Sequence, residues 1–259
     1  MNEKTKNTET NFGFLKIPTS EKQSRVRGVF DAVADRYDIM NDMMSVGLHR
    51  LWKNHMIRRL PLHAARKPMT MVDVAGGTGD IAFRALKSPA GRNGLLDVRL
   101  IDINAEMLRV GYANAQKQNL DHHIQASVGN AEALPLEDKS CDIYTIAFGI
   151  RNVTHRDAAL KEAWRVLKPG GIFACLEFSH IPNASMMKAY DAYSFNLIPP
   201  MGRLVTGDAA PYKYLVESIR TFPAADEFAT EVKEAGFERV RHERLSAGIV
   251  ALHLGWRTL

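Results

Sequence analysis

The chain has 259 residues, enough for one large domain, and its 46% apolar and 24% charged residues are those of an ordinary globular protein. A net charge of +5 is too mild to argue for nucleic acid, yet it is compatible with contact at an anionic membrane surface. Cys141 and Cys175 sit in apolar runs without metal-ligand spacing, so they read as buried hydrophobes in a reducing compartment, and no metal is expected.

Residues 1–20 are polar at the start and read as a mobile arm. No signal-peptide core follows them, and Glu3, Glu9 and Glu21 argue against a transit peptide. Residues 21–68 read as a helical preface. Val26, Val29, Phe30, Val33 and Tyr37 fall on one helical face, and Leu48, Leu51, Trp52 and His55 on another. Arginines and lysines give this segment a basic cast. Met40, Met43, Met44 and Met56 with Trp52 read equally as core or as a groove for an apolar ligand.

Alternating strands and helices fill residues 69–178. Strands are expected at 70–75, 97–103, 124–128, 141–148 and 172–178, with helices at 79–87, from Asn104, and from Thr154, where Thr154-His155-Arg156-Asp157 has capping-box form. Residues 179–223 interrupt the alternation with one helix, 184–196, and a loop through Tyr212 and Tyr214, and read as a lid-like insertion. Residues 224–259 supply a closing helix and two strands joined too tightly to be other than antiparallel. No stretch of about 18 apolar residues occurs, so no membrane span is expected.

The chemistry concentrates where the first strand meets its helix. Asp73-Val74-Ala75-Gly76-Gly77-Thr78-Gly79-Asp80 places an acid before small residues at alternate positions, and Asp102 ends the next strand. A dinucleotide usually wants G-x-G-x-x-G, with room for a pyrophosphate. The spacing here, Asp73-x-Ala75-x-Gly77-x-Gly79, suits S-adenosylmethionine better, with Asp102 on the ribose hydroxyls and Asp73 near the ammonium group. The bland alternative is a glycine turn without a ligand.

Longer stretches carry a resemblance. Val29-Phe30-Asp31-Ala32-Val33-Ala34, His49-Arg50-Leu51-Trp52-Lys53, Phe148-Gly149-Ile150-Arg151-Asn152-Val153-Thr154 and Ala189-Tyr190-Asp191-Ala192-Tyr193-Ser194-Phe195 make the chain similar, nearly end to end, to the ubiquinone/menaquinone biosynthesis C-methyltransferase family. The resemblance implies a single-domain, Rossmann-like class I methyltransferase of α/β class, with a seven-stranded, mostly parallel sheet and an antiparallel C-terminal hairpin. It implies S-adenosylmethionine as cofactor, held by Thr78, Asp102, Asn130 and Ala131, and methylation of a ring carbon of a polyprenylated hydroquinone. Family members often have serine before the Phe-Gly of the fourth strand, where this chain has Ala147. The expected setting is the cytoplasm, with peripheral contact at the inner face of the membrane.

Ring carbons attack weakly unless a neighbouring hydroxyl becomes phenolate-like, so a cation or donor is wanted beside that oxygen. Arg151 fits by position and resemblance, with Asn152 beside it; the competing reading has Arg151 paired with a carboxylate and holding the loop. Tyr37, His180, Tyr190 and Asp191 are candidate proton acceptors, with water as a further one. An O- or N-methyltransferase of the same fold and a non-catalytic cofactor-binding scaffold are the alternatives to C-methylation.

Overall fold

The computed structural model describes residues 9–31, 41, 42, 45–196, 199, 200, 203 and 209–258. Tyr37, Met40, Met43 and Met44 therefore lie outside the described residues, as do the first eight residues and parts of the 179–223 segment.

Among the described residues, nine strands form two sheets. Residues 9–18, expected as part of a mobile arm, instead make an antiparallel hairpin of β1 (Glu9–Phe12) and β2 (Leu15–Pro18). Helix α1 (Thr19–Asp31) follows directly. The hairpin is anchored by Phe12, whose ring stacks on Tyr214 at 4.3 Å, and by the Phe14 amide, which donates to Glu217 Oε2 at 3.2 Å.

Helix α2 (His49–Arg59) buries His49, Trp52, Lys53, Met56 and Ile57. The expected stripe is thus turned about its axis, and Leu51 is left 64% exposed. Polar residues enter the buried face because each has an acid partner: His49 bonds Asp42, and Lys53 bonds Asp80.

The main sheet has seven strands in the order β5-β4-β3-β6-β7-β9-β8. These are β3 (Met69–Val74), β4 (Leu96–Asp102), β5 (Ile124–Val128), β6 (Cys141–Ala147), β7 (Leu167–Phe178), β8 (Glu238–Leu245) and β9 (Val250–Trp256). β3 to β7 pair in parallel, while β9 pairs antiparallel with both β7 and β8, as the short closing connection required. Alternation along the strands builds two cores. Met71, Leu100, Ile143 and Leu176 face Trp52, Met56, Ile81 and Leu215 on one side. Val72, Ile101, Tyr144 and Phe173 face Leu160, Ala163, Phe228 and Val232 on the other. Cys141 and Cys175 are free thiols fully buried within the sheet.

The sheet is wrapped by α3 (Asp80–Leu86), α4 (Ala105–Lys117), α5 (Arg156–Val166), α6 (Ala184–Asn196), α7 (Ala210–Thr221) and α8 (Ala225–Glu234). Asn104 caps α4 as expected, its Oδ1 accepting from the Glu106 and Met107 amides. The capping box at Thr154 is not formed. His155 is the cap residue without a side-chain bond, and Glu132 Oε1 accepts from the Thr154 and His155 amides instead. The loop expected through Tyr212 and Tyr214 is the helix α7, opened by Pro211, with Tyr212, Leu215, Val216 and Ile219 buried.

Candidate functional site

Strand order reverses at β3, whose neighbours are β4 and β6, and a cavity opens at the carboxyl ends of these three strands. The β3–α3 turn forms its floor. Gly79, the cap residue of α3, has φ 86°, a conformation open to glycine and costly for other residues. Opposite the turn, a Cβ at Gly111 of α4 would meet Gly77 O at 2.7 Å, so only glycine lets α4 approach this closely. Helix α1 roofs the cavity with Gln23, Val26, Arg27 and Phe30. It is fastened at both ends. Lys22 Nζ donates to Val153 O at 3.1 Å, and Asn104 Nδ2 donates to Asp31 Oδ1 at 2.7 Å. Burial, reinforced by Arg156 and opposed by Glu132, lowers the Lys22 amine to about 8.

Asp73, Gly77, Thr78, Asp102, Asn130, Ala131 and Asn152 all line this cavity. Gly79 does not, because it stands behind the lining where α3 begins. Asp102 accepts from the Gly77 amide at 2.9 Å and the Asn104 amide at 2.8 Å. Burial raises its carboxyl to about 6 against those bonds. Asp73 accepts from Thr145 Oγ1 at 2.8 Å. Among the described residues its Oδ2 has no hydrogen bond of normal geometry, although the Ala82 amide is near enough to favour the anion. Burial pushes Asp73 up to about 7.

Two expected catalytic residues are held off the cavity. Arg151 Nη1 donates to Glu177 Oε1 at 2.8 Å and to Phe148 O at 2.6 Å, and Nε donates to Ser218 Oγ at 3.3 Å. With its donors tying the 148–152 turn to β7 and α7, Arg151 stands in the loop-holding arrangement. Asp191 accepts from Arg220 Nε at 2.6 Å, and the Arg220 guanidinium lies 5.3 Å from the Tyr190 ring centre. The phenol of Tyr190 is pushed up to about 12 by burial and has no hydrogen-bond partner among the described residues. His180 Nε2 bonds the Phe222 carbonyl at 2.7 Å, just past the end of β7. Asn152 is fixed by Tyr214, whose hydroxyl donates to Oδ1 at 3.0 Å.

Several participants went unread in the sequence. Glu177 carried a signal, since a lone acid in the apolar run of β7 must be paired. Lys53 carried one too, because it shares a helical face with Trp52 and Met56. The roof residues of α1 carried none beyond their helical period.

Structural likeness gives the class first. An S-adenosylmethionine-dependent methyltransferase of Thermotoga maritima superposes with a TM-score of 0.59 at 17% identity, covering 89% of this chain and 99% of the other. That likeness defines the class I methyltransferase fold. The ubiE/COQ5 methyltransferase family matches residues 18–257, and the chain belongs to it. A Nitrobacter hamburgensis protein named ubiquinone/menaquinone biosynthesis C-methyltransferase UbiE is 56% identical over 248 residues, 96% of this chain and 97% of its own length. The protein of the same name from Bradyrhizobium diazoefficiens is 53% identical, with the same shares covered.

Proposed function

We propose that this chain uses S-adenosylmethionine to methylate a ring carbon of a polyprenylated hydroquinone in respiratory quinone biosynthesis. The substrate is a demethylmenaquinol, a methoxy-polyprenyl-benzoquinol, or both. The observation that carries this reading is the single cavity joining Asp73, Asp102, Asn130 and Asn152, in a chain more than half identical to C-methyltransferases over almost its whole length.

The residues fit the cofactor. Asp102 is a buried acid at the end of β4, suited to paired ribose hydroxyls, and Asp73 keeps an under-bonded carboxylate oxygen for an ammonium. Asn130 and Ala131 line the cavity beside Asp102 and suit the adenine end. S-adenosylmethionine supplies a methyl group on a positively charged sulfur. The chain's part is alignment and exclusion of water. Helix α1 covers the cavity, and Asn152, its Oδ1 held by Tyr214, offers its Nδ2 hydrogens to the hydroxyl oxygen of the acceptor. Arg151 acts as a positioning residue that holds the Phe148–Asn152 turn in shape.

Among the described residues no helix is long and apolar enough to cross a membrane. Phe14 and Leu15 at the hairpin tip, with Phe195 of α6 stacked 6.1 Å from Phe14, form an exposed apolar edge. That edge suits peripheral contact with the bilayer that holds a long-tailed substrate.

A labelled-methyl assay with purified protein tests the reading. The quinol should accept label onto carbon. In the oxidised quinone no hydroxyl can ionise and the ring is electron-poor, so transfer should stop when reductant is absent. Equal rates on quinol and quinone would sink the mechanism.

A further inference from the structure

Lys53 lines the same cavity, with only 5% of its side chain exposed. Its Nζ donates to Asp80 Oδ2 at 2.8 Å and lies 6.0 Å from the centre of the Phe148 ring. Asp80 has a second cationic partner. Arg84 already grips it, with Nε to Oδ1 at 2.7 Å and Nη2 to Oδ2 at 3.4 Å. One carboxylate thus serves two cations, so Asp80 only partly matches the Lys53 charge in the cavity wall. The ammonium has three donors, and among the described residues Asp80 takes one.

Position decides what that charge meets. Asp102 ends β4 and Phe148 follows β6, the strands flanking β3 on either side. Adjacent strands lie about 4.8 Å apart, so the two ends of the cavity are separated by roughly 10 Å. With ribose on Asp102 and adenine by Asn130 and Ala131, an extended ligand has to direct its other end across β3 toward Phe148 and Lys53. Asp73, at the end of β3 itself, stands between.

We infer that Lys53 binds the methionine carboxylate of the cofactor, and that Asp80, neutralised by Arg84, holds the Lys53 amine in place for it. The assignment rests on the S-adenosylmethionine reading above. Asp73 and Lys53 then take the ammonium and the carboxylate of one amino-acid end, which fixes the direction in which the cofactor lies.

The test is a calorimetric titration of the full chain with two ligands that differ in that end alone. S-adenosylhomocysteine carries the amino acid, and 5′-methylthioadenosine lacks it. Lys53→Met keeps the aliphatic stem and removes the charge. It should weaken S-adenosylhomocysteine at least about tenfold and leave methylthioadenosine within about twofold. Decarboxylated S-adenosylhomocysteine, which retains the amine, should bind wild type and variant alike. Equal loss for all three ligands, or no loss for S-adenosylhomocysteine, would overturn the assignment and make the Lys53–Asp80 pair a brace between α2 and α3. If Lys53→Met fails to fold, Lys53→Gln, which keeps a donor for Asp80, gives the same reading. Wild-type protein that binds neither S-adenosylhomocysteine nor methylthioadenosine overturns the cofactor reading itself, a separate result.

Discussion

Arg151 and Glu177 stand 2.8 Å apart with 3% and 1% of their side chains exposed. Burial raises the Glu177 carboxyl, and Arg151 with the Phe178 and Arg151 amides draws it back. The pair ties the turn after β6 to the end of β7, and so fixes where Asn152 meets the cavity.

Arg151→Ala leaves Glu177 without a countercharge in the interior, a loss of about 3–5 kcal/mol. Urea denaturation should show it, and Arg151→Ala with Glu177→Gln should recover part of it. A double variant no more stable than Arg151→Ala would argue that the ion pair is not the source of the loss. Arg151→Lys keeps the charge but loses the fork that reaches Phe148 O and Ser218, so kcat should fall further than cofactor affinity.

Asp102→Ala should lower S-adenosylhomocysteine affinity at least about tenfold, the equivalent of a charge-assisted bond worth about 1.5–3 kcal/mol. The fold should persist, since Asp102 ends a strand and its two amide donors face the cavity loop. Unchanged affinity in a titration would remove Asp102 from the site.

Asp73 titrates from about 7 in the folded chain against an ordinary 3.8. Between those values the folded state holds a proton that the unfolded state has released. Its contribution to stability therefore declines as pH rises from about 4 to about 7 and is level above that, at roughly 1.4 kcal/mol per pH unit at most. His253 has the opposite sign: burial lowers it to about 4, so its contribution is lost as pH falls from 6.5 toward 4. The two overlap, and the difference in melting behaviour between wild type and Asp73→Asn isolates the first. That difference should shift in favour of Asp73→Asn as pH rises to 7. Cofactor affinity of wild type should climb over pH 6 to 8 as Asp73 ionises, and the climb centred near pH 7 should be missing from the Asp73→Asn profile, which keeps only the Asp102 step near pH 6.

Phe12→Ala removes a ring stacked on Tyr214, with a loss of about 0.5–1.5 kcal/mol beyond the area uncovered. Because Tyr214 fixes Asn152, the KM for the quinol should rise more than the cofactor dissociation constant. Steady-state kinetics with both substrates varied would separate the two, and an effect confined to the cofactor would detach the hairpin from the acceptor side.

The sheet was readable because β3, β6 and β7 carry apolar runs and β4 alternates, and the cofactor side followed from the Asp73–Gly79 spacing and Asp102. Helix α7, which Pro211 opens, was expected as a loop through Tyr212 and Tyr214 although Tyr212, Leu215, Val216 and Ile219 carry its period. The β1–β2 hairpin is too short and polar to announce itself, and it depends on contacts to α7, more than 200 residues away. Distance also hid the ion pairs around the cavity. Arg151 meets Glu177 across 26 residues, and Lys53 meets Asp80 across 27, so neither pair has a local signature.

The burial of the two sulfurs has its own meaning in a chain that handles quinols. In air a quinol becomes an electrophile, and the ring carbon that awaits a methyl group is then the carbon to which a thiolate adds. Cys141 is pushed up to about 12 by burial and donates to Val166 O, and burial holds Cys175 well above its ordinary value. Both thiols stay protonated and out of reach inside the sheet, so the folded chain can sit beside the oxidised form of its substrate without being arylated. Only unfolded protein should gain the adduct mass when it is incubated with a simple quinone.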